Sequence, residues 1–269
     1  MSRKVIWSAQ LLAVGLCALA LKFYYSTATI NQLRWILAPT TALAELLSGK
    51  RFTFESFAGY MSSDHTFVIA APCAGVNFLI TAFLMLAGSR LWRGRWQGIG
   101  WWSIPAVAAI AYLATLVTNA VRISLALELR GVHSEWLTAN QLHRFEGIVV
   151  YFGFLLLLFL LTERRRERKP LRLLLFPLLV YYAITLGVPL ANGSWQRTAF
   201  WEHFIYVLML PLLVCALYAF LCAFLWLVLS GVAAHHPGAE VRVFFDIARR
   251  AGVMSVDAFR FRREAKREG

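Results

Sequence analysis

The most restrictive feature of this chain is a succession of long, uninterrupted apolar runs. A helix needs about 20 mostly apolar residues to cross a bilayer. Lipid offers no partners to open backbone groups, so only helices and closed barrels cross it. The runs here are continuous rather than alternating, which excludes a β-barrel. Six runs have the required length, from about Val5 to Tyr25, Cys73 or Ala74 to Leu91, Ile99 to Leu125, His143 to Thr162, Leu171 to Leu190, and Phe204 to Leu229. The expected fold class is therefore all-α: a polytopic transmembrane helical bundle of six spans. Charged residues make up only 15% of the 269, and mean hydropathy is +0.62, which a soluble domain of this size would not show.

The formal charge of +13 invites a nucleic-acid reading, but the cations are placed otherwise. Most of the 27 Lys and Arg fall in four clusters: Arg3 and Lys4; Arg90, Arg93 and Arg95; Arg164 to Arg172; and the tail from Arg242 to Arg267. Alternate crossings put all four on one side, with near-neutral loops on the other, which is the positive-inside pattern. The expectation is a multi-pass protein of a bacterial inner membrane, with membrane rather than nucleic acid as its surroundings. Residues 1–231 form the membrane domain and 232–269 a cytoplasmic basic tail. Ala18-Leu19-Ala20 resembles a signal-peptide cleavage site, but Phe23, Tyr24 and Tyr25 prolong the apolar run and favour a retained anchor.

Between the first two spans lies the largest outer segment. Gln32 to Leu47 has the pattern of an amphipathic helix lying on the membrane surface. Phe52 to Ala71 reads as irregular or extended chain, with Phe52, Phe54, Val68 and Ile69 in short β-like pieces.

Four cysteines are too few and too scattered for a disulfide framework. Cys17, Cys215 and Cys222 sit inside apolar runs, where a cysteine is a small buried hydrophobe. Cys73 instead opens the second span on the near-neutral side. Arg122 lies near the same end of the third span, and His143 opens the fourth. Topology brings a nucleophile, a permanent cation and a titratable base to one membrane face.

Each residue type has a chemical reason. The thiolate is the reactive form of cysteine and needs a nearby cation or helix amino end. Pro72 suits a first helical turn, which would aim the dipole of the second span at the sulfur. His143 can pair with a thiolate and protonate a leaving amine. Arg122 keeps its proton and can hold an oxyanion with two donors. Asn119, three residues before Arg122 on the same helical face, can orient it, and Asn77, four after Cys73, can line the same cleft. Taken singly, each has a bland explanation: a structural cysteine, an arginine reaching for headgroups, a capping histidine. Glu146, at i+3 from His143 on the same helical face, could tune it, but the reading favoured is a solvated surface carboxylate. His65, His133 and His203 fall on the same side without metal-ligand spacing, so neither metal nor cofactor is expected.

The blocks Pro72-Cys73-Ala74-Gly75-Val76-Asn77, Asn119-Ala120-Val121-Arg122-Ile123 and His143-Arg144-Phe145-Glu146-Gly147 resemble the three signature blocks of the exosortase/archaeosortase family, in the same order and at the same places on their spans. The resemblance covers residues from about Phe67 to Tyr151, and the chain looks closest to compact members of the exosortase K type. It implies a membrane-embedded analogue of sortase, with Cys73 as nucleophile, Arg122 as oxyanion stabiliser and His143 as acid/base. The implied substrates are exported proteins anchored by a C-terminal motif, helix and basic tail, which are cut and passed to an acceptor, including one linked to lipid or polysaccharide. The site would face the periplasm. Two alternatives stand beside this: a purely hydrolytic cysteine protease, and a transporter or scaffold in which Arg122 and His143 pair within the bundle.

Overall fold

The structure is a computed structural model that describes residues 2–94, 99–130, 138–163 and 170–235. His133, Arg95, most of the 164–172 basic cluster, and the tail from residue 236 onward lie outside the described residues. The order of helices is α1 (Arg3–Thr27), α2 (Arg34–Ser48), α3 (Val76–Arg93), α4 (Ser103–Leu129), α5 (Ala139–Glu163), α6 (Pro170–Tyr182), α7 (Val188–Ala191) and α8 (Thr198–His235). Six helical stretches are long and apolar enough to cross a membrane: Arg3–Thr27, Ala71–Arg93, Ser103–Leu129, Gln141–Thr162, Leu173–Ala191 and Phe200–Leu225. The chain is an all-α polytopic bundle.

Polar ties fix the order of packing. At one end Trp7 Nε1 donates to the Leu91 carbonyl at 2.9 Å. Beside it the buried Gln10 amide bonds both backbone groups of Ile99, whose N–H reaches Gln10 Oε1 at 2.9 Å. A side-chain amide that satisfies an irregular backbone in an apolar setting removes a cost of several kcal/mol per open group. At the other end Lys22 Nζ donates to Asn77 Oδ1 at 2.8 Å, and Tyr25 Oη to the Ala71 carbonyl at 3.4 Å. Thus α1 and α3 run antiparallel. The pairs Phe152 with Tyr181 and Phe159 with Phe176, each with ring centroids 5.4 Å apart, set α5 antiparallel to α6. α3 lies at the centre, with Val76, Phe78, Ile80, Met85 and Leu86 among its buried side chains.

Three details depart from the sequence expectation or go beyond it. First, α2 is amphipathic but does not lie free on a surface. Its apolar side, Ile36, Leu37, Thr40, Thr41 and Ala44, is buried, and the helix packs along α4. Tyr112 Oη donates to the Trp35 carbonyl at 2.7 Å and the two rings stack at 5.7 Å. Tyr112 stands about 15 Å along α4 from Arg122, at 1.5 Å per residue, so α2 reaches well down the bundle.

Second, the extended pieces form a real sheet, antiparallel in the order β1 (Phe52–Glu55), β2 (Gly59–Ser62), β3 (Val68–Ile69). Phe52 pairs with Ser62 and Tyr60 with Ile69. The link from β2 to β3 is tied by Asp64, which accepts from Ser62 Oγ at 2.6 Å and Thr66 Oγ1 at 2.7 Å; these bonds hold its carboxyl below the usual carboxylate range.

Third, the fifth span is interrupted. α6 passes into a π turn at Ala183–Gly187 before α7. Pro189, the second residue of α7, lacks an N–H, and a widened turn ahead of it avoids the clash with the preceding carbonyl.

Candidate active site

Strand β3 feeds directly into a 3-10 turn, Ala71–Ala74, that carries Cys73. Cys73 N donates to the Ala70 carbonyl at 2.8 Å, closing the turn. Gly75 then takes the left-handed conformation, φ 72°, and α3 begins at Val76. The α-helix of the second span therefore starts three residues after Cys73, not at it, and Pro72 lies in the preceding turn. The left-handed glycine ends the 3-10 turn and redirects the chain, which leaves the Cys73 carbonyl free to point at α4.

Asn119 meets it there. The fully buried Asn119 donates from Nδ2 to the Cys73 carbonyl, while its Oδ1 accepts from Tyr151 Oη at 2.9 Å and Arg122 Nη1 at 3.4 Å. The orientation of this amide is dictated by its partners, because a guanidinium only donates. Arg122 also donates from Nη1 to Tyr151 Oη at 3.0 Å and from Nη2 to His143 Nε2 at 3.2 Å. Its guanidinium carbon lies 5.3 Å from the centre of the Tyr151 ring. One network thus joins the turn of Cys73, the C-terminal half of α4 and the start of α5. The half-buried Cys73 thiol is in electrostatic range of Arg122, Tyr151 and Tyr25.

The arrangement separates the sequence-chosen residues into two groups. Cys73, Asn119, Arg122 and His143 share the network. Asn77 does not: it is exposed, and its Oδ1 is taken by Lys22 of α1. The reason is helical phase, since Asn77 lies in the first turn of α3 on the side facing α1. Glu146 corrects the surface reading. Its side chain is only 4% exposed, and Oε2 lies 3.4 Å from His143 Nδ1, whereas His143 itself is 53% exposed. Tyr151 was not singled out from sequence at all. The available signal was spacing: 143, 147 and 151 fall on one face of α5, so a phenol at 151 had to point where His143 points.

His65 sits in the β2–β3 link against Met61, and His203 lies in α8 near Arg144; neither joins the network. Among the described residues no three of His, Cys, Asp and Glu group closely enough to hold a metal ion. Chemically, the site offers an accessible thiol, a fixed cation with two donor arms, and an imidazole whose ring nitrogens face opposite charges. No family profile, curated protein or solved structure matches this chain.

Proposed function

We propose that the protein is a membrane-embedded cysteine transpeptidase or peptidase of a bacterial inner membrane, acting at the periplasmic face on exported proteins that end in a motif, a transmembrane helix and a basic tail. The observation that carries the reading is the hydrogen-bonded chain from the Cys73 backbone through Asn119 and Arg122 to His143. It supports a single reaction centre assembled from three separate spans, close to the end of each.

The steps follow from the donors present. The thiol proton passes to His143, and the sulfur attacks a backbone carbonyl of the substrate, forming the C–S bond. Arg122 moves an Nη donor from His143 Nε2 to the carbonyl oxygen, which both steadies the oxyanion and frees the imidazole lone pair for the thiol proton. Collapse breaks the C–N bond, and the leaving amine takes that proton from His143. The thioester on Cys73 is resolved by an acceptor amine, returning the thiol, or by water in the hydrolytic variant.

The test is processing of a tagged candidate substrate in cells carrying the full chain. Cys73→Ala should abolish it, a loss of at least about 10⁴-fold, and Arg122→Lys should cost about 10²–10³-fold through the lost oxyanion donor. Wild type should give a thioester adduct that hydroxylamine releases. Undiminished processing by Cys73→Ala ends the reading.

One observation favours a second reading. Arg122 and His143 are already partnered with each other, as a scaffold or gate would require. Under that reading Cys73→Ala would keep every activity of the protein, whereas Arg122→Ala would unfold or lock the bundle.

A further inference from the structure

We propose that Glu146 is a positioning residue, whose buried carboxylate accepts the Nδ1–H of His143 and so holds the Nε2 lone pair toward Arg122 and the cleft of Cys73. It rests on the reading of His143 as the acid/base of the site and adds to it the group that fixes which nitrogen works.

The argument begins at Nε2. Arg122 Nη2 lies 3.2 Å from that nitrogen, and a guanidinium has donors only. Nε2 must therefore be the bare nitrogen, and the proton of the neutral ring sits on Nδ1. Nδ1 faces Glu146 Oε2 at 3.4 Å, an ion-pair separation a few tenths of an ångström longer than an N–H···O hydrogen bond. Catalytic contacts of this kind are commonly long before substrate arrives.

The carboxylate itself points the same way. Neither Glu146 oxygen has a hydrogen-bond partner among the described residues, and both atoms are shielded from solvent. A buried carboxylate without partners is expensive, and the contact within reach that relieves it is His143. Arg122 adds attraction from further off. A group kept at such a cost has a use elsewhere, since an apolar side chain of similar volume would serve packing better. The use available here is the imidazolium that forms when His143 takes the thiol proton: Glu146 then faces a full positive charge at Nδ1. The i, i+3 spacing on α5 supplies the geometry, because it stacks the two side chains on one helical face.

The experiment uses the full chain, labelled with ¹⁵N-histidine and reconstituted in phospholipid nanodiscs near neutral pH, with His143 signals identified by difference from His143→Asn. Wild type should show a protonated Nδ1 and an unprotonated Nε2; a wild-type ring protonated at Nε2 overturns the proposal without any variant. Glu146→Leu should move the ring proton to Nε2 or divide it between the two nitrogens, while unfolding at or above the wild-type temperature. Glu146→Asp should restore part of the wild-type pattern. In the processing assay Glu146→Leu should lower kcat about 10²–10⁴-fold with KM changed less than about threefold, as removal of an orienting carboxylate does in a triad. Unchanged His143 signals in Glu146→Leu, or a variant that loses stability but keeps kcat, would make the residue structural and overturn the proposal. A ring proton that responds to Glu146→Leu in a protein whose Cys73→Ala variant stays active supports the Glu146 contact and sinks the peptidase reading alone.

Discussion

At Gly75 the backbone stands at φ 72°, and a Cβ there would lie 3.1 Å from Asn119 Cγ and 3.2 Å from both Asn119 Nδ2 and Thr115 Cγ2. Two penalties coincide: the left-handed conformation costs an L residue about 1–2 kcal/mol, and the added methyl presses on the amide that holds the Cys73 carbonyl. Gly75→Ala should therefore lower the unfolding temperature of the detergent-solubilised protein and, more tellingly, reduce processing beyond what the stability loss explains. Asn119→Ala should show the second effect with less of the first. Single residues were legible in sequence where topology restricted them. Cys73, Arg122, Asn119 and His143 each combine a chemical side chain with a span end, so depth alone aligned them. Glu146 was misread because a carboxylate beside a span end is ordinarily solvated, and hydropathy carries no information about which neighbour covers it. Asn77 stands outside the network for the converse reason. Its partner Lys22 is on another helix, and only packing shows that α1 takes that side of α3.

Along α5, His143, Gly147 and Tyr151 succeed one another at i, i+4 and i+8 and so form one face. Arg122 lies across that face at its middle, with Nη2 toward His143 and Nη1 toward Tyr151. A small residue at Gly147 is what admits it: a Cβ there would stand 3.5 Å from Arg122 Nε, in ordinary contact, and a longer side chain would press on the guanidinium. Gly147→Ala should be nearly neutral for processing. Gly147→Leu should displace the guanidinium and cost about as much as losing an oxyanion donor, 10²–10³-fold, with the fold retained by circular dichroism. Equal activity in the two variants would show that Arg122 does not need this path. Helices were well read from periodicity and length, apart from their interruptions. The start of α3 moved to Val76 because a left-handed glycine, invisible as such in sequence, separates it from the cysteine turn. The burial of α2 against α4 was not legible either, since an apolar stripe states that something covers it but not what.

For the molecule as a whole, the contacts sort its charges as well as its helices. Trp7 with Leu91, and Gln10 with Ile99, bring the starts of α1 and α4 and the finish of α3 to one end, next to Arg3, Lys4, Arg90 and Arg93 in sequence. The Cys73–Arg122–His143 network occupies the other end. Ser103 to Arg122 spans about 28 Å of helix at 1.5 Å per residue, close to the ~30 Å hydrocarbon thickness. A basic end and the Cys73 network one bilayer apart give a sidedness test that needs no substrate. Cys17, Cys215 and Cys222 all lie within membrane-spanning helices, where maleimide reacts poorly because thiolate does not form in lipid. In a variant that retains only Cys73, a membrane-impermeant maleimide should label intact spheroplasts, and Arg122→Ala should slow the labelling by removing a positive charge within electrostatic range of the sulfur. Labelling confined to inverted vesicles would put the thiol on the cytoplasmic side, away from any exported protein, and the proposed chemistry would lose its substrate.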